Sequence, residues 1–218
     1  MLFDGSDVGV TGDVDAFYFV DSDTILFSLD AATTIGSLGT VDSFDIVRFD
    51  ATSLGPTTAG SLSLYFDGSD VGMDTTSENI DALALLPDGR LVISTSGDPV
   101  LPGISGLKDE DLLAFTPTSL GDTTSGTWAM YFDGSDVGLA TDSGEDVDAV
   151  AIAANGDIYL STSGNFAVSG VAGADEDVFI CTPTLLGSTT ACTFSPTLYF
   201  DGSASGLSAN DLDGIGLP

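Results

Sequence analysis

One feature constrains this chain before any other: it repeats. Phe-Asp-Gly-Ser begins at Phe3, Phe66, Phe132 and Phe200, so successive starts lie 63, 66 and 68 residues apart. The match runs well past these letters. Tyr65-Phe66-Asp67-Gly68-Ser69-Asp70-Val71-Gly72 returns as Tyr131-Phe132-Asp133-Gly134-Ser135-Asp136-Val137-Gly138. Val14-Asp15-Ala16, Ile80-Asp81-Ala82 and Val147-Asp148-Ala149 follow 11, 14 and 15 residues after the motif phenylalanine. Ser94-Thr95-Ser96-Gly97 returns as Ser161-Thr162-Ser163-Gly164, Asp109-Glu110-Asp111 as Asp175-Glu176-Asp177, and Thr116-Pro117-Thr118 as Thr182-Pro183-Thr184. A period of this size marks an architecture in which each unit buries its apolar faces against its neighbours. It divides 1–218, a single repeat domain, into repeats of approximately 3–65, 66–131 and 132–199, with a partial fourth at 200–218.

Each repeat reads as four strands. In the second these are Ile80 to Leu86, Leu91 to Thr95, Leu112 to Thr116 and Thr127 to Phe132. Pro87-Asp88-Gly89-Arg90 joins the first two, and Asn155-Gly156 marks the same joint one repeat later, a strong hairpin signal. Leu91-Val92-Ile93 and Leu112-Leu113-Ala114-Phe115 are apolar on both faces, as in strands covered on both sides. The last strand alternates and places Trp128, Met130 and Phe132 on one face. No stretch shows helical periodicity. Trp128, Tyr65, Tyr131 and Tyr199 read as core rather than as a ligand platform.

The expected fold is therefore all-β: tandem four-stranded antiparallel repeats, β-propeller-like blades, with a β-sandwich or stacked β-array as the alternative. The order of a strand, Asp-Gly, a second strand, an acidic turn and a strand ending in Thr-Pro resembles bacterial propeller blades. The whole unit resembles acidic tandem repeats of large secreted bacterial surface proteins. The likeness implies a repeat type and says little about activity. Three blades are fewer than the four to eight of a closed ring.

Charge narrows the function classes. Three bases (Arg48, Arg90 and Lys108) face 34 acids, there is no histidine, and the formal net charge is −31. Nucleic acid and anionic membranes are bound through basic patches and would repel such a chain. Without histidine there is no imidazole base and no His-containing zinc site. Only Glu78, Glu110, Glu145 and Glu176 are glutamate, so 30 of the 34 acids are aspartate, the residue of turns and of oxygen-rich ion sites. A hydrophobic fraction of 43 % separates the chain from disordered acidic tails. No apolar run is long enough to cross a bilayer as a helix, and no signal peptide is visible at Met1.

In a blade, two of the four connections emerge on each face. One face then collects Asp67, Asp70, Asp81, Asp109, Glu110 and Asp111, and in the next repeat Asp133, Asp136, Asp148, Asp175, Glu176 and Asp177; the other holds few acids. Crowded carboxylates destabilise one another unless neutralised, and calcium, bound by six to eight oxygens, is the natural counter-ion. These twelve residues are the candidate metal ligands. The competing reading is turn chemistry, in which each aspartate caps its own backbone.

Cys181 and Cys192 stand where the preceding repeat has Phe115 and Gly126. Their joint gain at facing positions of one hairpin predicts a disulfide and an oxidising, extracellular or cell-surface location. At the end of the chain Leu212, Ile215 and Leu217 lie on a spare first strand, which clasps its own chain, completes a neighbouring subunit, or continues a longer array of which this sequence is a piece. The function expected from these features is extracellular and structural: a head-to-tail filament or surface-array subunit with calcium-stabilised loops. A carbohydrate- or protein-binding module is the alternative, with glycans as possible partners. A carboxylate-based glycoside hydrolase is less well matched, because the acids recur in every repeat instead of marking one distinct pair. No catalytic residue is assigned.

Overall fold

The computed structural model describes residues 2–140 and 143–217. β1 (Val14–Phe19) and β2 (Thr24–Leu29) form a hairpin, β3 (Thr33–Ile35) and β4 (Gly39–Val41) a small separate one, and β5 (Ile46–Ser53) and β6 (Ala59–Phe66) complete a sheet ordered β1-β2-β5-β6. The second sheet holds β7 (Leu83–Leu85), β8 (Leu91–Ile93), β9 (Leu112–Ser119) and β10 (Ser125–Phe132). The third repeat adds β11 (Ala149–Ile152) and β12 (Ile158–Ser161), the side hairpin β13 (Phe166–Val168) and β14 (Val171–Gly173), then β15 (Phe179–Leu185) and β16 (Ala191–Phe194). Its main sheet is ordered β11-β12-β15-β16. All pairings within these sheets are antiparallel. The chain is all-β, one four-stranded meander per repeat.

The apolar pattern explains the stacking. Leu83, Leu91, Ile93, Leu113 and Phe115 of sheet 2 pack with Ala16, Leu26, Ile46 and Phe66 of sheet 1. From the opposite side of sheet 2, Ala84 and Val92 pack with Val150, Ile158, Leu160 and Phe179 of sheet 3. The middle sheet is thus buried on both faces, as its unbroken apolar runs require. Sheet 1 turns Ile25, Phe27, Val47 and Phe49 away from sheet 2, onto Phe3, Val8 and Val10 of the N-terminal segment and the β3–β4 hairpin. The inner strands β1, β7 and β11 lie in series, with β7 touching both of the others.

Three expectations are corrected. The first strand of repeat 2 is shorter than Ile80–Leu86, because Ile80 bonds outward to sheet 1 and its loops: its N donates to Ser43 O at 3.1 Å and its O accepts from Ser28 Oγ at 2.7 Å. Trp128, Met130 and Phe132 do not share a face. The β9–β10 register slips between Met130 and Phe132, and this bulge turns Phe132 into the sheet 2–3 core while Trp128 and Met130 stay on the sheet 1 side. Tyr199 is not core: it is 51 % exposed and meets Tyr159 edge to face.

The Cys181–Cys192 disulfide is present, on paired strands β15 and β16 with Cα atoms 5.4 Å apart. Closing a short loop of this size is worth about 3 kcal/mol by loop entropy. Reduction, or Cys181→Ala with Cys192→Ala, should lower the melting temperature by about 6–12 °C. Calorimetry of the oxidised and reduced chain checks this, and coincident transitions would contradict it.

Candidate functional site

The Phe-Asp-Gly-Ser-Asp motif folds the same way at each full copy. Asp67 Oδ1 accepts from Ser69 N at 3.1 Å and from Ser69 Oγ at 2.6 Å, an Asx turn. Asp4 does the same with Ser6, and Asp133 Oδ1 accepts from Ser135 Oγ at 2.6 Å. The second acid of the motif reaches a neighbour. Asp70 Oδ2 accepts from Thr124 N at 2.8 Å while Asp67 N donates to Thr124 Oγ1 at 2.9 Å. Asp7 and Asp4 clamp Thr58 identically, and Asp136 and Asp133 clamp Thr190. Each motif therefore locks the last strand of one sheet, or the N-terminal segment standing in its place, to the outer hairpin of the next. In the fourth motif Ala204 replaces the clamping aspartate.

This clamp corrects the two-face sorting of acids. Asp70 and Thr124 lie on connections expected on opposite faces, yet they are hydrogen-bonded. Long outer strands such as β9 and β10, with the twist of each sheet, swing those corners together.

The acidic turns before the third strand form a second repeated device. Asp111 is buried; its Oδ1 accepts from Gly134 N at 3.0 Å and its Oδ2 from Lys108 N at 2.8 Å. Asp45 holds Gly68 N and Asp42 N, and Asp177 holds Gly202 N and Ala174 N. Burial pushes the Asp45 and Asp111 carboxyls up to about 6, against the pull of these backbone donors. The motif glycine is needed here, since a Cβ at Gly134 or Gly202 would collide with the carbonyl of Glu110 or Glu176. Asp109 accepts from Glu110 N at 3.1 Å, and burial, then its hydrogen bond to Asp109, pushes the Glu110 carboxyl up to about 8. Asp175 contributes its backbone carbonyl, described below. Six of the twelve expected ligands thus spend oxygens on the backbone amides of other residues, and among the described residues no three acids are arranged to hold one ion.

The remaining two, Asp81 and Asp148, belong to a different place. The equivalent Asp15, Asp81 and Asp148 enter the three inner strands, and the topology brings them together with Asp146, Asp211 and Asp213. Asp148 is 6 % exposed and Asp81 9 %. Both Asp148 oxygens, Asp146 Oδ1 and Asn79 Oδ1 are buried with no donor, while Asn79 Nδ2 donates to Asp15 Oδ2 at 2.8 Å. No base reaches the ring: Arg48, Arg90 and Lys108 pair with Asp50, Asp88 and Asp98 elsewhere. Burial, then repulsion from neighbouring carboxylates, pushes Asp81 up to about 9, Asp148 to about 10 and Asp146 to about 7.

The C-terminal segment completes the ring. Ile80 N donates to Ser43 O, Val147 N to Asp109 O, and Leu212 N to Asp175 O at 3.2 Å; the three are equivalent by repeat. Leu212 therefore takes the entry position of a fourth inner strand against sheet 3 of its own chain. Beyond it Gly214 lies directly on the Phe17 ring of sheet 1. Leu212, Ile215 and Leu217, the expected assembly strand, pair in no sheet of their own chain, and the segment runs from sheet 3 to sheet 1. Asp15, Asp146, Asp211 and Asp213 were absent from the expected ligand set. Leu212-Asp213-Gly214 matches Val147-Asp148-Ala149, and that match is the signal that places Asp213 in the ring.

No family model matches the chain, and no curated protein matches it. Among solved structures it is similar to the extracellular domain of a putative one-component system from B. thetaiotaomicron, with 13 % identity and a TM-score of 0.28 over 83 % of this chain and 27 % of that one. It is also similar to the extracellular domain of a putative hybrid two-component system from the same organism, with 13 % identity and a TM-score of 0.30 over 93 % and 30 %. The chain spans less than a third of the length of either, and likenesses this low leave the fold to be read from the chain itself.

Proposed function

We propose that this chain is a non-catalytic structural module of the cell exterior whose copies stack head to tail. One observation carries the reading: sheets 1, 2 and 3 pack in series, and both outer sheets leave large apolar side chains uncovered. On sheet 1, exposed Leu2 and half-buried Phe17 and Phe19 line an open groove floored by the buried Ile25. On the sheet 3 side, Leu185 and Tyr199 are each 51 % exposed and Leu186 is 37 % exposed. A contact between unlike faces that does not close on itself propagates. The disulfide supports an oxidising compartment. The repetition of each carboxylate device in every sheet supports a structural role, since a reaction site would single out one repeat.

The joint between copies is apolar. Asp4 and Asp7 already fill the Thr58 clamp, and Ala204 carries no carboxylate to compete for it. A net charge of −31 on each copy opposes the contact, and salt screens that repulsion over about 10 Å at 0.1 M. Light scattering should therefore show single chains in dilute buffer and growing particles as sodium chloride rises toward 1 M. Leu2→Gln with Phe19→Ser should abolish the growth. Single chains at every salt and protein concentration would overturn the proposal.

A further inference from the structure

The ring of aspartates between the inner strands has no basic side chain as a partner among the described residues. It gathers Asp15, Asp81, Asp146, Asp148, Asp211 and Asp213, and none of the three bases is near. A shared proton can satisfy one carboxyl pair, such as Asp148 with Asp211 or Asp15 with Asp81. It leaves further oxygens without a donor, because the second Asp148 oxygen, Asp146 Oδ1 and the amide oxygen of Asn79 stay buried and unpartnered. A buried acceptor without a donor costs free energy. A single cation satisfies several such oxygens at once.

We propose that this ring is a calcium site anchored by Asp148, with Asp146 and Asp211 as flanking ligands, and that the ion ties the C-terminal segment to the inner strands. The donor set selects the ion. Every available group is a carboxylate or amide oxygen, there is no histidine, and both cysteines are in the disulfide. All-oxygen sites suit hard cations, and an irregular arrangement suits calcium over magnesium, which demands a near-ideal octahedron. Asp148 is nine-tenths buried at the end of a rigid strand, whereas Asp211 sits on an exposed segment held at Leu212 by one backbone hydrogen bond. The acids do not yet surround one point, so binding draws Asp211 inward while Asp146 and Asp148 stay in place. The site lies within one chain and does not depend on stacking.

The test is calorimetric titration of the full, chelator-treated chain with calcium chloride, paired with thermal melts. We expect one ion per chain with a dissociation constant on the order of 0.1–1 mM. The melting temperature should rise by about 5 °C in 10 mM calcium, against controls in magnesium chloride and in potassium chloride of equal ionic strength. Asp148→Asn should abolish the heat and the shift. Asp211→Asn, on the exposed segment, should weaken binding at least about tenfold without unfolding the chain, and Asp133→Asn in a surface turn should leave it unchanged. No uptake at 10 mM, an equal shift with potassium, or full binding by both ring variants would overturn the proposal. The last two outcomes would assign the effect to general screening or to another site.

Discussion

In a chelating buffer the chain loses stability as pH rises from 5 to 9, and its melting temperature falls by about 10 °C or more. Most proteins do not fall so early on the alkaline side, and the reason here is the buried acids. A carboxyl held above its ordinary value stabilises the fold while it is protonated. That contribution is complete below the unfolded value near 4 and is lost as pH passes the folded value. Asp45 and Asp111, at about 6, lose theirs first; Asp146 follows near 7, then Asp81 near 9 and Asp148 near 10. Carboxyls held below their ordinary values, such as Asp50 beside Arg48, act in the opposite direction, but below about pH 4, outside this window. Melts at fixed ionic strength across the range measure the effect. A flat profile, or a rise toward pH 9, would show that the ring is neutralised in some other way.

Glu78→Ala is expected to be the most damaging single substitution in the loops, at about 3–5 kcal/mol. Glu78 is 1 % exposed. Its Oε2 accepts from Asp74 N at 2.8 Å, Thr75 N at 2.7 Å and Thr75 Oγ1 at 3.0 Å, and its Oε1 from Val100 N at 3.0 Å. One carboxylate thus satisfies three backbone amides and ties the entry of sheet 2 to the long loop before β9. Burial alone would raise this carboxyl, but the converging N–H groups hold it below its usual range. Truncation orphans the three amides together, at about 1–3 kcal/mol each if no water replaces the carboxylate. Glu78→Gln keeps one acceptor and should cost less. Urea denaturation of the two variants checks both sign and order, and a loss under about 1 kcal/mol for Glu78→Ala would contradict the assignment.

The repeat made the fold legible, because period, strand order and doubly apolar strands follow from residue types alone. Leu91-Val92-Ile93 can only be covered on both sides, and the structure covers it with sheets 1 and 3. The bulge at Tyr131 was not legible, since it depends on register against β9 and sends Phe132 to a different core from Trp128. The exposure of Tyr199 was hidden for a related reason: its repeat equivalents are half-buried by a following sheet that residue 199 lacks. The acids were legible as a class but not in their partners. Asp70 and Asp81 look alike in sequence, eleven residues apart. One is spent on Thr124 N across a sheet boundary, while the other enters a ring that only the convergence of three repeats and the C-terminal segment creates.

A carbon-13 titration of the aspartate side-chain carboxyls, in calcium-free buffer, separates the buried ring from the turn aspartates. Asp81 and Asp148 should titrate near 9 and 10, with Asp45 and Asp111 near 6. Asp81 and Asp148 titrating near 4, like exposed aspartates, would mean that the inner ring is open to water and that the repeats do not converge as described.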